Sequence, residues 1–252
     1  MLNSNNVKCA IVTGVSGGIG KAIYKVLIEG GVNVLGIDVK EPAENLNIEN
    51  FLKVDLNRFA ENEQYSNEIF SEINKWLNGR ELHLIVNNAA TQIIAGVPNI
   101  TRASYQLSLN VNLLAPFFLI QGFINQLVAS KGCVINISSI HARMTKPKFL
   151  VYATSKSAIS SMNRSLAVEL GSEIAFYAIE PGAVMTDMLR QGFEEFPELL
   201  VDLANCHPSK EISTPEQLGA FILFLFNSRI PALQGTAIEF GGGISSRIHD
   251  PI

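Results

Sequence analysis

Short apolar runs rich in β-branched residues alternate along this chain with longer segments whose apolar positions recur at helical spacing. Val7–Thr13 (VKCAIVT), Val32–Ile37 (VNVLGI), Phe51–Asp55 (FLKVD), Leu82–Asn87 (LHLIVN), Cys133–Ser138 (CVINIS), Ile174–Glu180 (IAFYAIE) and Thr236–Phe240 (TAIEF) read as strands. Helices are expected over Gly18–Glu29, Ala60–Leu77, 102–129, Phe149–Leu170 and Pro215–Phe226. Gly30-Gly31 stops the first, and Thr214-Pro215 is a cap and first turn for the last. Strands that are apolar throughout must be covered on both faces, which implies a parallel sheet. With right-handed crossovers this is an α/β, doubly wound, seven-stranded Rossmann fold in three α/β/α layers. Residues 1–252 read as a single domain. The long irregular segment at about 182–214 reads equally as a binding loop or as a tolerated surface insertion.

Composition narrows the function. Hydrophobic residues make up 47% and charged residues 17%, the balance of a folded globular chain. A net charge of -4 gives no support to nucleic-acid binding. Cys9, Cys133 and Cys206 have no C-x-x-C spacing, so neither a disulfide framework nor a metal site is expected. The N-terminus shows no secretory signal, and the apolar run 220–226 is too short to span a bilayer. A cytoplasmic protein with no membrane partner is the expectation.

The first strand runs into Thr13-Gly14-Val15-Ser16-Gly17-Gly18-Ile19-Gly20 and then a helix. Glycines there let the backbone approach a pyrophosphate, and the helix start offers free N–H groups to it. A P-loop does not fit, because Val15 and Ala22 stand where its first glycine and its Ser/Thr belong. Gly14-Val15-Ser16-Gly17-Gly18 also satisfies the nucleophile elbow of hydrolases, but that motif belongs later in its fold. Asp38 ends the second strand, 18 residues after Gly20. A carboxylate there suits the adenosine ribose hydroxyls and repels a 2′-phosphate, which favours NAD over NADP.

Tyr152 and Lys156 share a helix face at i and i+4. A nearby ammonium favours the phenolate, so Lys156 is expected to lower the Tyr152 pKa towards the working pH of an acid/base catalyst. Ser139 lies 13 residues earlier at a strand end, and Asn87–Ala90 and Pro181–Thr186 end two further strands. These strand ends and the glycine loop converge on one crevice.

At this point the chain resembles the short-chain dehydrogenase/reductase family, in its compact branch, over nearly its whole length. The carrying stretches are T-G-x-x-x-G-I-G at 13–20, N-N-A-A at 87–90, NVNLLAPF at 110–117, NISS at 136–139, Y-x-x-x-K at 152–156 and PGAVMT at 181–186. The resemblance implies that Tyr152 is the general acid/base, Ser139 holds the substrate oxygen, Lys156 tunes Tyr152 and binds the nicotinamide ribose, and Asn112 holds a relay water. It implies that NAD is held by Gly14, Ser16, Gly18, Ile19, Asp38, Asp55, Leu56, Asn88, Ala89, Tyr152, Lys156, Pro181, Gly182, Val184 and Thr186. It further implies hydride exchange with a secondary alcohol or ketone, a small-molecule substrate bound by the 182–214 loop, and a homo-oligomer, tetramer or dimer. Ala90 departs from the family's N-N-A-G, and His141 stands where small residues are common; it reads either as a pocket group or as a solvent-facing loop residue. Two rival readings remain: a sugar-nucleotide epimerase or dehydratase, and a non-catalytic NAD-binding scaffold or sensor.

Overall fold

The computed structural model describes residues 7–43 and 48–247. Among these, strands β1 (Cys9–Thr13), β2 (Asn33–Asp38), β3 (Phe51–Lys53), β4 (Leu82–Asn87), β5 (Cys133–Ile137), β6 (Ala175–Pro181) and β7 (Ala237–Phe240) form one sheet in the order β3-β2-β1-β4-β5-β6-β7. Every neighbouring pair is parallel. The order reverses between β1 and β4, which opens a crevice at the carboxyl ends of those strands. This is the doubly wound Rossmann architecture that the run pattern implies.

Successive strand residues point to opposite faces, so each buried strand feeds two cores. Ile11, Leu35, Ile85, Val134 and Phe176 lie on one side, covered by α3 (Glu63–Leu77), α5 (Ala115–Gly122), α6 (Ile124–Ala129) and α7 (Leu150–Leu170). Val12, Val34, Val86, Ile135 and Tyr177 lie on the other, covered by α1 (Gly18–Glu29) and α10 (Pro215–Ser228). These helices are buried on one stripe and held by packing more than by propensity.

The structure departs from the expected helices in three places. Two helices, α2 (Leu56–Glu61) and α3, replace the one expected over Ala60–Leu77. Asn62 between them is extended, and its side chain accepts the Tyr65 amide at 2.8 Å as a fresh N-cap. The single helix expected over 102–129 is divided into α4 (Arg102–Leu109), a π-turn at Asn110–Leu114, α5 and α6. Pro116 has no N–H, so the Asn112 carbonyl has no donor four residues on, and the helix widens there. Phe123, fully buried, ends α5 by dropping edge-on against Phe70. The run Arg102–Gly122 is apolar and long enough to cross a membrane, yet its Ala115, Leu119 and Ile120 pack into the sheet core. Third, the 182–214 segment is not irregular throughout: it contains α8 (Asp187–Gln191) and α9 (Pro197–Cys206). Val184 and Met185 pair with Ser213, closing the segment at its base.

Candidate active site

The glycine loop joins β1 to α1 at the switch point. Gly14 has φ +75, and a Cβ there would stand 2.8 Å from Asn88 Nδ2, so the loop requires glycine both for its turn and for its closeness to β4. Asn88 donates its amide to the Thr13 carbonyl at 2.9 Å and the Gly14 carbonyl at 3.2 Å. The Thr13 hydroxyl accepts the amides of Asn88 and Ala89, each at 3.0 Å. Asn88 and Ala89 therefore fix the shape of the loop with the groups expected to meet the cofactor. At Gly18 a Cβ would approach Thr186 Cγ2 to 2.7 Å, so the Pro181–Thr186 turn closes over the start of α1. That start, through Gly18 and Ile19, presents first-turn amides that no helical carbonyl can take.

Asp38 lies at the end of β2, and its carboxylate accepts the Ser16 amide at 2.9 Å and the Lys40 amide at 3.1 Å. The Ser16 hydroxyl donates to the Lys40 carbonyl at 2.7 Å. A carboxylate has about four acceptor positions, so room for two ribose hydroxyls remains. Asp55 is committed locally: as N-cap of α2 it accepts the amides of Asn57 and Arg58, with Leu56 following at the helix start. A glycine loop turned back at the switch point, first-turn helical amides and a carboxylate at the end of β2 are the features a bound nicotinamide dinucleotide needs, and these residues fit one.

Beyond β5 and at the start of α7 stand the residues expected to handle the proton. Ser139 caps the short turn Ile140–Ala142, accepting the His141 amide at 3.2 Å. Its hydroxyl is also near enough to the Tyr152 phenol to favour the phenolate. Lys156 is 2% exposed. Its ammonium donates to the Ile137 carbonyl at 2.6 Å and sits 5.7 Å from the Tyr152 ring centroid. Burial lowers the Lys156 pKa to about 8. Tyr152 departs from the expectation: burial pushes its pKa up, and the Ser139 hydroxyl only partly opposes this. Desolvation of the phenolate governs, and the lysine's own charge is penalised by burial and turned towards the Ile137 carbonyl.

Asn112, 1% exposed, stands in the π-turn. Its side chain accepts the Thr91 amide at 2.8 Å and donates to the Thr91 carbonyl and the Ser155 hydroxyl, each at 2.9 Å. Ser155 in turn donates to the Tyr152 carbonyl at 2.7 Å. Thr91 and Ser155 have no local sequence mark; only the tertiary contact reveals them.

His141 packs inward. Its ring stacks on Phe149 at 4.6 Å and meets Tyr152 edge-on at 5.8 Å, and its pKa falls through burial and then through Lys146. The Lys146 ammonium lies 4.7 Å over the Phe149 ring, so this lysine is more than a solvated charge. A cavity of about 370 Å³ opens beside Met185, between α9 and Ile212–Thr214.

The structure thus gathers Ser139, Tyr152, Lys156 and, through Ser155, Asn112 at one sheet edge, with the glycine loop and the Pro181–Thr186 turn on the same side. The sequence model described as short chain dehydrogenase matches residues 8–196. The chain belongs to the short-chain dehydrogenase family. Members of this oxidoreductase family bind a nicotinamide cofactor and act on small molecules. Among its short-chain dehydrogenase relatives, the chain is similar to Protein FixR of Bradyrhizobium diazoefficiens, 29% identical over 94% of this chain and 86% of that protein. It is also similar to carbonyl reductase [NADPH] 2 of Sus scrofa, 28% identical over 93% and 95%. In fold it matches the ligand-free aldohexose dehydrogenase of Thermoplasma acidophilum, with a TM-score of 0.88 and 22% identity over 98% and 97%.

Proposed function

We propose that this short-chain dehydrogenase is an NAD-dependent enzyme that exchanges a hydride between the nicotinamide and the carbinol carbon of a secondary alcohol or its ketone, with Tyr152 as general acid/base. The carrying observation is that Ser139, Tyr152 and the buried Lys156 meet at one sheet edge, with the Lys156 ammonium 5.7 Å from the Tyr152 ring centroid. NAD, when bound, supplies the hydride acceptor or donor. Ser139 holds the substrate oxygen by hydrogen bonding, and Tyr152 gives it a proton or takes one from it. With its pKa raised, Tyr152 is protonated at neutral pH, the form that carbonyl reduction needs. In the alcohol direction the Lys156 charge, retained below about pH 8, is the positive charge this chain brings to the phenolate. The Asn112 carbonyl, without a donor at Pro116, is suited to hold a relay water behind Lys156.

Asp38 supports NAD over NADP, since its carboxylate would lie against a 2′-phosphate and Lys40 is the nearby cation. Asp55, Leu56, Asn88 and Ala89 frame the adenosine side, and Pro181, Gly182, Val184 and Thr186 the nicotinamide side. Met185, Leu200, Val201 and Ala204 line a shallow apolar depression on the 182–214 segment, which supports a substrate with an apolar part.

Turnover of a secondary-alcohol and ketone panel with NAD and NADP tests this reading. Tyr152→Phe should lower kcat by about 10²–10⁴-fold while NADH still binds by fluorescence titration. A Tyr152→Phe protein close to parental turnover would remove the acid/base assignment, and a parent that prefers NADP would remove the Asp38 argument.

A further inference from the structure

The two halves of the proton machinery stand on different elements: Ser139 on the turn after β5, Tyr152 and Lys156 on α7. What joins them is a carboxylate. Glu180, the single charge in the apolar run of β6, is 1% exposed. Its Oε2 lies 2.6 Å from Arg143 Nε, and Arg143 Nη2 donates to the Ala237 carbonyl at 2.9 Å. Arg143 directly follows the turn that Ser139 caps, so this pair pins the turn to β6 and β7. The other carboxylate oxygen of Glu180 lies 2.8 Å from the Ser160 hydroxyl, which lies 2.8 Å from the Ser138 hydroxyl. Ser138 donates to the Lys156 carbonyl at 2.8 Å. A chain of short polar contacts thus runs from a half-exposed arginine to the backbone of the catalytic helix turn. Ser157, donating to the Ala142 carbonyl at 2.8 Å, is a second, weaker tie between the same two elements.

We propose that Glu180 and Arg143 are positioning residues that set the Ser139-bearing turn against the Tyr152–Lys156 turn of α7. Such a pair is a weak source of stability, because the carboxylate is costly to desolvate while the half-exposed Arg143 charge is screened by water. Apolar contacts, however, set position less sharply than an ion pair at contact distance flanked by the Arg143–Ala237 and Ser160–Glu180 hydrogen bonds. A site that must hold a substrate oxygen between Ser139 and Tyr152 needs the sharper setting.

The proposal rests on the oxidoreductase reading, and its test separates the two. In the full-length chain, with an alcohol that the parent turns over, Arg143→Met should lower kcat about tenfold and leave the nicotinamide KM within about twofold. Arg143→Lys, which keeps a cation for Glu180, should restore part of kcat. Arg143→Met leaves the Glu180 carboxylate buried without its cation, so Glu180→Gln, which removes that charge and leaves only the half-exposed Arg143 to be solvated, is the second variant and should lower kcat likewise. Ser160→Ala cuts the other branch. Combined with Arg143→Met it should cost less in kcat than the product of the two single effects, because both act on one unit. Arg143→Met with parental kcat overturns the brace and leaves Tyr152 untouched. A fall in kcat, nicotinamide affinity and Tm together, with no rescue by lysine, also overturns it, since that marks a purely structural pair. A parent inactive with either nicotinamide overturns the oxidoreductase reading and the brace with it.

Discussion

Lys156 shows how far burial governs this site. A lysine at 2% exposure has a pKa near 8 against an ordinary 10.5, a difference that corresponds to about 3 kcal/mol against the charged form in the folded chain. Below pH 8 both folded and unfolded chains carry the charge and the cost is felt in full. Between pH 8 and 10.5 the unfolded chain binds the extra proton, so the folded state gains as pH rises through that window. Denaturant unfolding of the parent and of Lys156→Met should therefore show the parent gaining on the variant from pH 8 upward, with a parallel pair of curves speaking against the shift. The same burial explains why Tyr152 does not show the lowered pKa that its spacing from Lys156 implies. Spacing at i and i+4 reports adjacency, but the sign of the shift depends on how dry the pair is, and that is decided by the Ile137 carbonyl and the covering loops.

At the scale of elements, the site is built where helices are irregular. The π-turn at Asn110–Leu114 places Asn112 against Thr91 and Ser155, and Pro116 is the residue that makes an unbroken α-helix unfavourable there. Asn112→Leu removes four side-chain hydrogen bonds, to the Thr91 amide and carbonyl and the Ser108 and Ser155 hydroxyls, and leaves the Thr91 amide unpaired. It should cost about 2–4 kcal/mol in thermal or denaturant unfolding and lower kcat as well. A variant with parental stability would show that the turn does not depend on this side chain. The helices themselves were legible as apolar stripes, but their breaks were not. Asn62 as a cap and Phe123 as a stop take effect only when α3 and the Phe70 ring are in place, because a capping amide and a core aromatic look like any polar or apolar residue in a run. The two short helices within 182–214 escaped the pattern for a related reason. Neither buries a residue fully, so neither shows a clean apolar stripe.

At the scale of the whole molecule, apolar side chains remain outside. Val168 on α7 is 86% exposed, and Leu107 on α4 and Phe224 on α10 are also exposed. Faces of this kind on long helices call for a cover. With the homo-oligomer that the resemblance implies, they are read as subunit contacts. Sedimentation equilibrium of the parent should give a dimer or tetramer, and Val168→Asp or Phe224→Asp should shift it towards smaller species; a monomeric parent would end this reading.

The sequence by itself determined the layer order, the seven strands and the edge on which the chemistry gathers. Strand alternation, apolar runs and glycines with positive φ are local properties, and a parallel sheet with right-handed crossovers leaves few ways to assemble them. It also marked Ser139, Tyr152 and Lys156 as a set, because each stands at a strand end or one helical turn from its partner. Only the tertiary structure decided what surrounds them. Asn88 bonds the glycine loop, Asp55 caps α2, His141 stacks on Phe149 beside Tyr152, and Glu180 finds Arg143. Nothing in the run pattern joins the glutamate of β6 to Arg143, 37 residues earlier. Partners distant along the chain are chosen by three-dimensional packing, and burial, which sets the protonation of the site, exists only once the layers have closed.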